Sequence, residues 1–256
     1  MNGRRLYVPA GAVLAGLGPV SAGLYTLEPF RTGLFARAMH LLQVELLTDD
    51  LPATRAFYHR TLGLPATHDT EARVTFGVGT SQLTFRATRT PSKPFYHFAF
   101  LIPRNQFVEA FAWVEARTSV LPYQGTERVA DFPNWNARAF YFHDPNGNIV
   151  ECIARYDVPS DATAPFSGHS LLSISELGLP VAQVPAACTE LQAALGIPDF
   201  WRGPKRPDFA VLGDDHGLLI VPAEGRGWLP TQRPAERHWL RLQLVHAGQV
   251  AAWEGR

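Results

Sequence analysis

The sequence predicts an α+β protein built from repeated strand–helix–strand units. Two observations carry that expectation. The order strand, helix, paired strands runs twice between residues 41 and 155 and starts again after a linker at 159–168. The first and third units also align without a gap: DLPA (50–53) falls on QVPA (183–186), and LGLP (62–65) falls on LGIP (195–198). An internal repeat outranks a single motif as fold evidence, because each repeat is one packing unit.

The elements follow in order. LLQVELLT (41–48) reads as a strand. Asp50 is placed to cap the next helix, with Pro52 in its first turn, and the helix ends near 62–65. ARVTFGV (72–78) and SQLTFRA (81–87) read as a hairpin. YHFAFLIP (96–103) is a strand leading into a helix whose stripe is Phe107, Ala110, Phe111 and Val114. NARAFYF (136–142) and NIVECIA (148–154) form a second hairpin around DPNGN, where Gly147 supplies a positive φ. In the third unit LLSISELGL is the strand, and Val184, Ala187, Cys188, Leu191 and Leu195 mark the helix. DFAVLGDDHGLLIVP follows, and 238–245 opens a fourth unit. The expected organisation is a leader at 1–38 outside the fold (with Met39 as an alternative start), one complete pair of units at 39–157, a linker at 158–168, and a truncated, degenerate pair at 169–256.

Bulk properties narrow the function. The chain has 256 residues, 46% apolar and 18% charged, with 23 basic and 23 acidic side chains, an ordinary globular composition. Zero net charge gives no electrostatic reason to expect nucleic acid or an anionic membrane as partner. Cys152 and Cys188 sit in apolar stretches and read as small buried hydrophobes. No run of about 18 apolar residues predicts a membrane span. Arg4 and Arg5 precede a weakly apolar stretch, but its Gly and Pro residues disfavour a signal peptide. The expected location is cytoplasmic.

Alternation places the polar strand residues. Leu42, Val44 and Leu46 oppose Gln43 and Glu45; Leu83 and Phe85 oppose Thr84 and Arg86; Phe98 and Phe100 oppose His97; Val150 and Cys152 oppose Glu151. Helices pack on the apolar face, so a curled sheet would gather Gln43, Thr84, His97 and Glu151. The DPNGN register sets Tyr141 across from Glu151. Imidazole and carboxylate in one concavity suit a first-row divalent metal; a core histidine and a solvated strand carboxylate are the plainer alternative.

The paired βαβββ pattern resembles the vicinal oxygen chelate superfamily, which includes glyoxalase I, extradiol ring-cleaving dioxygenases, fosfomycin-resistance transferases and bleomycin-resistance proteins. TDDLPATRAFYHRTLGLP (48–65), FYHFAFLIP (95–103) and YFHDPNGNIVE (141–151) carry the resemblance. It implies a cup-shaped mixed sheet with ligands at the opening and closing strand of each unit. Residue by residue it implies metal ligands Gln43, His97 and Glu151, with Thr84 at the remaining position. Glyoxalase I would hold a carboxylate there, so Thr84 argues against glyoxalase activity. The fosfomycin-type enzymes place a tyrosine where Tyr141 stands, which makes Tyr141 a candidate acid–base group, with Glu45 behind it. Thr84, Arg86, Trp135 and Asn136 are the candidate substrate contacts. In the degraded half Glu176 matches Gln43, His238 lies near the match of His97, and Leu219 stands where Thr84 does; this half reads as structural or as a lid.

Three functions follow from the resemblance. The favoured one is a metalloenzyme, extradiol-dioxygenase-like, in which Fe(II) or Mn(II), or else Zn(II) or Ni(II), chelates adjacent oxygens of a small substrate. The second is a metal-free binding protein of the bleomycin-resistance type. The third is a glyoxalase-like lyase or isomerase. A homodimer is compatible with each.

Overall fold

The computed structural model describes residues 6–7, 37–88 and 93–255. The strands are β1 (Leu6–Tyr7), β2 (His40–Thr48), β3 (Ala66–Asp69), β4 (Arg73–Val78), β5 (Ser81–Ala87), β6 (His97–Leu101), β7 (Ala130–Phe132), β8 (Ala137–His143), β9 (Ile149–Arg155), β10 (Ser173–Gly178), β11 (Phe209–Asp214), β12 (Gly217–Pro222), β13 (Leu240–His246) and β14 (Gln249–Gly255). The main helices are α1 (Leu51–Arg55, continuing as a π-helix over Ala56–Thr61), α2 (Phe107–Glu115) and α3 (Val184–Leu195). The Asp50 side chain accepts from the Ala53 amide at 2.9 Å and Pro52 sits in the first turn of α1, as the sequence predicts.

The α+β expectation holds: all the strands join one mixed, curled sheet. In the first three units the opening strand runs parallel to the closing one, giving β2 with β5, β6 with β9, and β10 with β12. Between units the partners differ from the expected grouping. β6 pairs antiparallel with β10 and β2 pairs antiparallel with β13, while β2 and β10 meet only at Leu41 and Ile174. The second unit is therefore joined to the third, and the first to the fourth. Repeats reveal the units but not which near-equivalent opening strands hydrogen-bond to each other. Four strands escaped the sequence reading: β3 and β7 are short edge strands beside β4 and β8. β14 extends the fourth unit, and β1 pairs with β14 although it lies within the supposed leader. The rest of 1–36 lies outside the described residues.

The two sheet faces form different cores. Val44, Leu46, Phe76, Phe85, Phe98, Phe100, Val150 and Cys152 pack with the helices. On the opposite face, in the second and third units, a separate cluster contains Phe95, Ala99, Tyr141, Ile149, Ile153, Phe200, Leu218, Ile220 and Trp228. The face that carries His97 and Glu151 is thus covered by the third unit and by the loop bearing Trp228.

His40 at the start of β2 lies beside His216, with ring centroids 5.3 Å apart. Burial, with the neighbouring His216, lowers its pKa to about 4. The unfolded chain therefore binds this proton at a pH where the folded chain does not, so stability is lost as pH falls from about 6.5 toward 4. His40→Gln should flatten the pH dependence of unfolding in that window, by up to about 1.4 kcal/mol per pH unit. Urea titrations of both proteins across the window check this.

Candidate metal centre

The centre is built around a small residue. Ala99 on β6 pairs with Glu151 of β9 on one side and with Glu176 of β10 on the other. Its methyl group leaves the space between the two carboxylates open. His97 lies two residues earlier on the same strand face. Among the described residues, one ligating atom each from His97, Glu151 and Glu176 lies within 4.8 Å of the others. All three side chains are buried, at 5%, 3% and 3% exposure.

The DPNGN turn fixes this geometry. Asp144 Oδ1 accepts from the Asn146 and Asn148 amides at 3.0 Å each, and Oδ2 accepts from the Tyr58 hydroxyl at 2.8 Å and Asn148 Nδ2 at 2.7 Å. Asn148 Oδ1 in turn accepts from the Tyr96 amide at 2.7 Å. Gly147 adopts φ 75°, a conformation glycine takes without steric cost. These bonds lock the start of β9 against β6. Asp144→Ala strands the Tyr58 hydroxyl and the Asn148 side chain, so it should cost on the order of 3 kcal/mol, read from the urea midpoint.

The next residue, Ile149, orients the histidine. His97 Nδ1 lies 3.0 Å from the Ile149 carbonyl, an acceptor only, so Nδ1 carries the proton and Nε2 keeps its lone pair. Nε2 points to Glu151 Oε2 at 3.6 Å. Burial lowers the His97 pKa to about 4 against that backbone bond, so the ring is neutral and free to ligate. Burial and the Glu176 charge raise the Glu151 pKa well above the carboxylate range, opposed by Arg155 and by the Tyr141 hydroxyl. Burial and the Glu151 and Glu176 charges raise the Tyr141 pKa, so Tyr141 stays protonated and donates to Glu151. Register sets Tyr141 directly across from Glu151, as the hairpin spacing predicts.

Arg155, fully buried on the same face of β9, completes the centre. Its Nε donates to Ser175 Oγ at 3.1 Å, and Nη2 makes a short charged bond to Glu176. Trp135 lies over the guanidinium at 5.6 Å and donates its own N–H to the Arg202 carbonyl. Trp228 covers His97, with rings 4.9 Å apart. That approach requires Gly178, where a Cβ would meet the Trp228 ring at 2.7 Å. The two carboxylates and one guanidinium leave one uncompensated negative charge in a closed site. A proton on Glu151 or a bound cation removes it. Two carboxylates and an imidazole with a free Nε2 are a donor set that fits a first-row divalent ion.

The other candidates lie elsewhere. β10 stands between β2 and β6, so Gln43 is not a partner of His97; its neighbours across the sheet are Gln82 and Gln243. Glu45 pairs with Arg86 at 3.7 Å on that same half-exposed face, away from Tyr141, and the Thr84 hydroxyl bonds Thr75 at 2.9 Å. Asn136 is an exposed turn residue with φ 45° that bonds Asp157. Register puts Ile220, not Leu219, at the closing position of the third unit, and Leu219 packs in the helix-side core. Arg241, paired with Glu254 at 3.4 Å, takes the place in the fourth unit that His97 takes in the second, and His238 packs edge-on against Phe95 and Tyr96.

The sequence profile of the Glyoxalase/Bleomycin resistance protein/Dioxygenase superfamily matches residues 40–152. The matched segment includes His97 and Glu151, whereas Arg155 and Glu176 lie beyond it. A proposed dioxygenase from Bacillus subtilis subsp. subtilis str. 168 has a similar fold, with TM-score 0.54 and 14% identity over 84% of this chain and 68% of that one. Two shorter proteins also match: a lactoylglutathione lyase from Agrobacterium tumefaciens (TM-score 0.37, 25% identity, 44% of this chain and 92% of that one) and a superfamily protein from Alicyclobacillus acidocaldarius (TM-score 0.37, 18% identity, 46% and 92%). No curated protein matches the chain significantly. No helix among the described residues is long and apolar enough to cross a membrane.

Proposed function

We propose that this protein is a metal-dependent vicinal oxygen chelate enzyme, dioxygenase-like, with its ion held by His97, Glu151 and Glu176. The convergence of three ligating atoms within 4.8 Å in a buried site carries the reading. When bound, a divalent ion such as Fe(II) or Mn(II) supplies Lewis acidity toward adjacent substrate oxygens. The chain's own residues do the rest. Ile149 fixes the His97 tautomer, Tyr141 orients Glu151 and retains a proton for delivery, and Arg155 holds Glu176. Phe95, Trp228 and Ile153 exclude water and suit a flat substrate. One observation favours the metal-free binding reading: with Arg155 paired to Glu176, a proton on Glu151 would balance the site by itself.

The test is oxygen uptake with catechol after anaerobic loading with Fe(II) or Mn(II). We expect uptake in the wild type and a loss of about a hundredfold in Glu151→Gln, the upper end of what even the hydrogen-bonding partners of metal ligands are worth. Metal-loaded protein that binds catechols without consuming oxygen would leave a chelating protein that is not a dioxygenase.

A further inference from the structure

Arg155 has one hydrogen-bonding arm to spare. Its Nε serves Ser175 and its Nη2 serves Glu176, but among the described residues the buried Nη1 has no hydrogen-bond partner. A fully buried guanidinium leaves such a donor unused only at a cost, and its natural acceptor is an anionic oxygen. The charges at the site point the same way. Two carboxylates against one guanidinium leave a single negative charge, and a divalent ion turns that into a single positive one. A closed site with one positive charge in excess calls for a monoanion. The surrounding surface is aromatic and aliphatic: Phe95, Tyr141, Ile149, Ile153, Phe200 and Trp228.

We propose that Arg155 is the anion anchor of this site and that its Nη1 receives an oxygen of a flat monoanionic ligand, an aryl carboxylate. This rests on the metal-centre reading, since the excess positive charge exists only with the ion in place. Trp228 packs on His97, so ligand entry displaces that ring.

Calorimetry on the Mn(II)-loaded protein tests this with two probes of nearly equal shape, benzoate and benzamide. We expect benzoate to bind at least about tenfold tighter than benzamide, the scale of a hydrogen bond to a charged group. Arg155→Lys keeps the charge but not the fork, and should lose most of that preference at unchanged manganese content. Equal binding of the two probes by the wild type, or a preference untouched by Arg155→Lys, overturns the anchor. The wild-type comparison needs no variant to fold. Manganese content, measured beforehand by elemental analysis, separates the two failures. Protein that holds manganese without preferring benzoate refutes the anchor alone, whereas protein that holds none refutes the metal centre and the anchor with it.

Discussion

Arg155→Met should lower the unfolding free energy of the metal-free protein by about 3–5 kcal/mol, the cost of breaking a buried ion pair from one side. Arg155 is fully buried and binds both Ser175 and Glu176 of β10. It therefore ties the second unit to the third at the point where they share the centre. Methionine matches its length without its charge, so Glu151 and Glu176 would face each other with no counter-ion. Urea unfolding reads the loss as a lower midpoint at unchanged slope. The deficit should shrink when a divalent ion is present, because the ion supplies the missing positive charge. A deficit below about 1 kcal/mol, as for a surface pair, would show that the ion pair does not join the units.

Saturating Mn(II) should stabilise the wild type by about 4 kcal/mol at a thousandfold excess over Kd, since only the folded chain brings the three ligands together. Glu176→Gln should lose most of that increment, and Gln43→Ala should keep it. The contrast separates two ligand sets that the sequence alone leaves open. Gln43 stands at the opening position of the first unit and Glu176 at that of the third, and the repeat aligns them directly. Only Glu176 lies on the strand that pairs with β6. Thermal unfolding with and without manganese measures all three proteins. Loss of the increment in Gln43→Ala would mean that the first unit, not the third, completes the site.

Much of this was legible in the sequence, and the illegible part has one source. Alternation placed His97 and Glu151 on the face away from the helices, and the DPNGN turn set Tyr141 opposite Glu151. Both are local facts, fixed by pleat and turn chemistry. The error came from joining units by their order in the chain. Gln43 and Glu176 are equivalent residues on equivalent strands, and no local propensity says which of them lies next to β6. The same error hid Arg155, although it continues the Glu151–Ile153 alternation by one step and could have been read as facing the site. Its partner Glu176 falls in the half that the sequence marks as structural or a lid, which leaves a buried arginine without an apparent partner.

On the proposed reading His97, Glu151 and Glu176 together hold a divalent ion. Elemental analysis of protein purified anaerobically and reloaded with Fe(II) or Mn(II) tests it most directly, beside His97→Ala and Glu176→Gln. We expect a single equivalent of metal in the wild type and its loss in both variants. Wild-type protein that stays metal-free after reloading, or Glu176→Gln protein that retains a full equivalent, would contradict it.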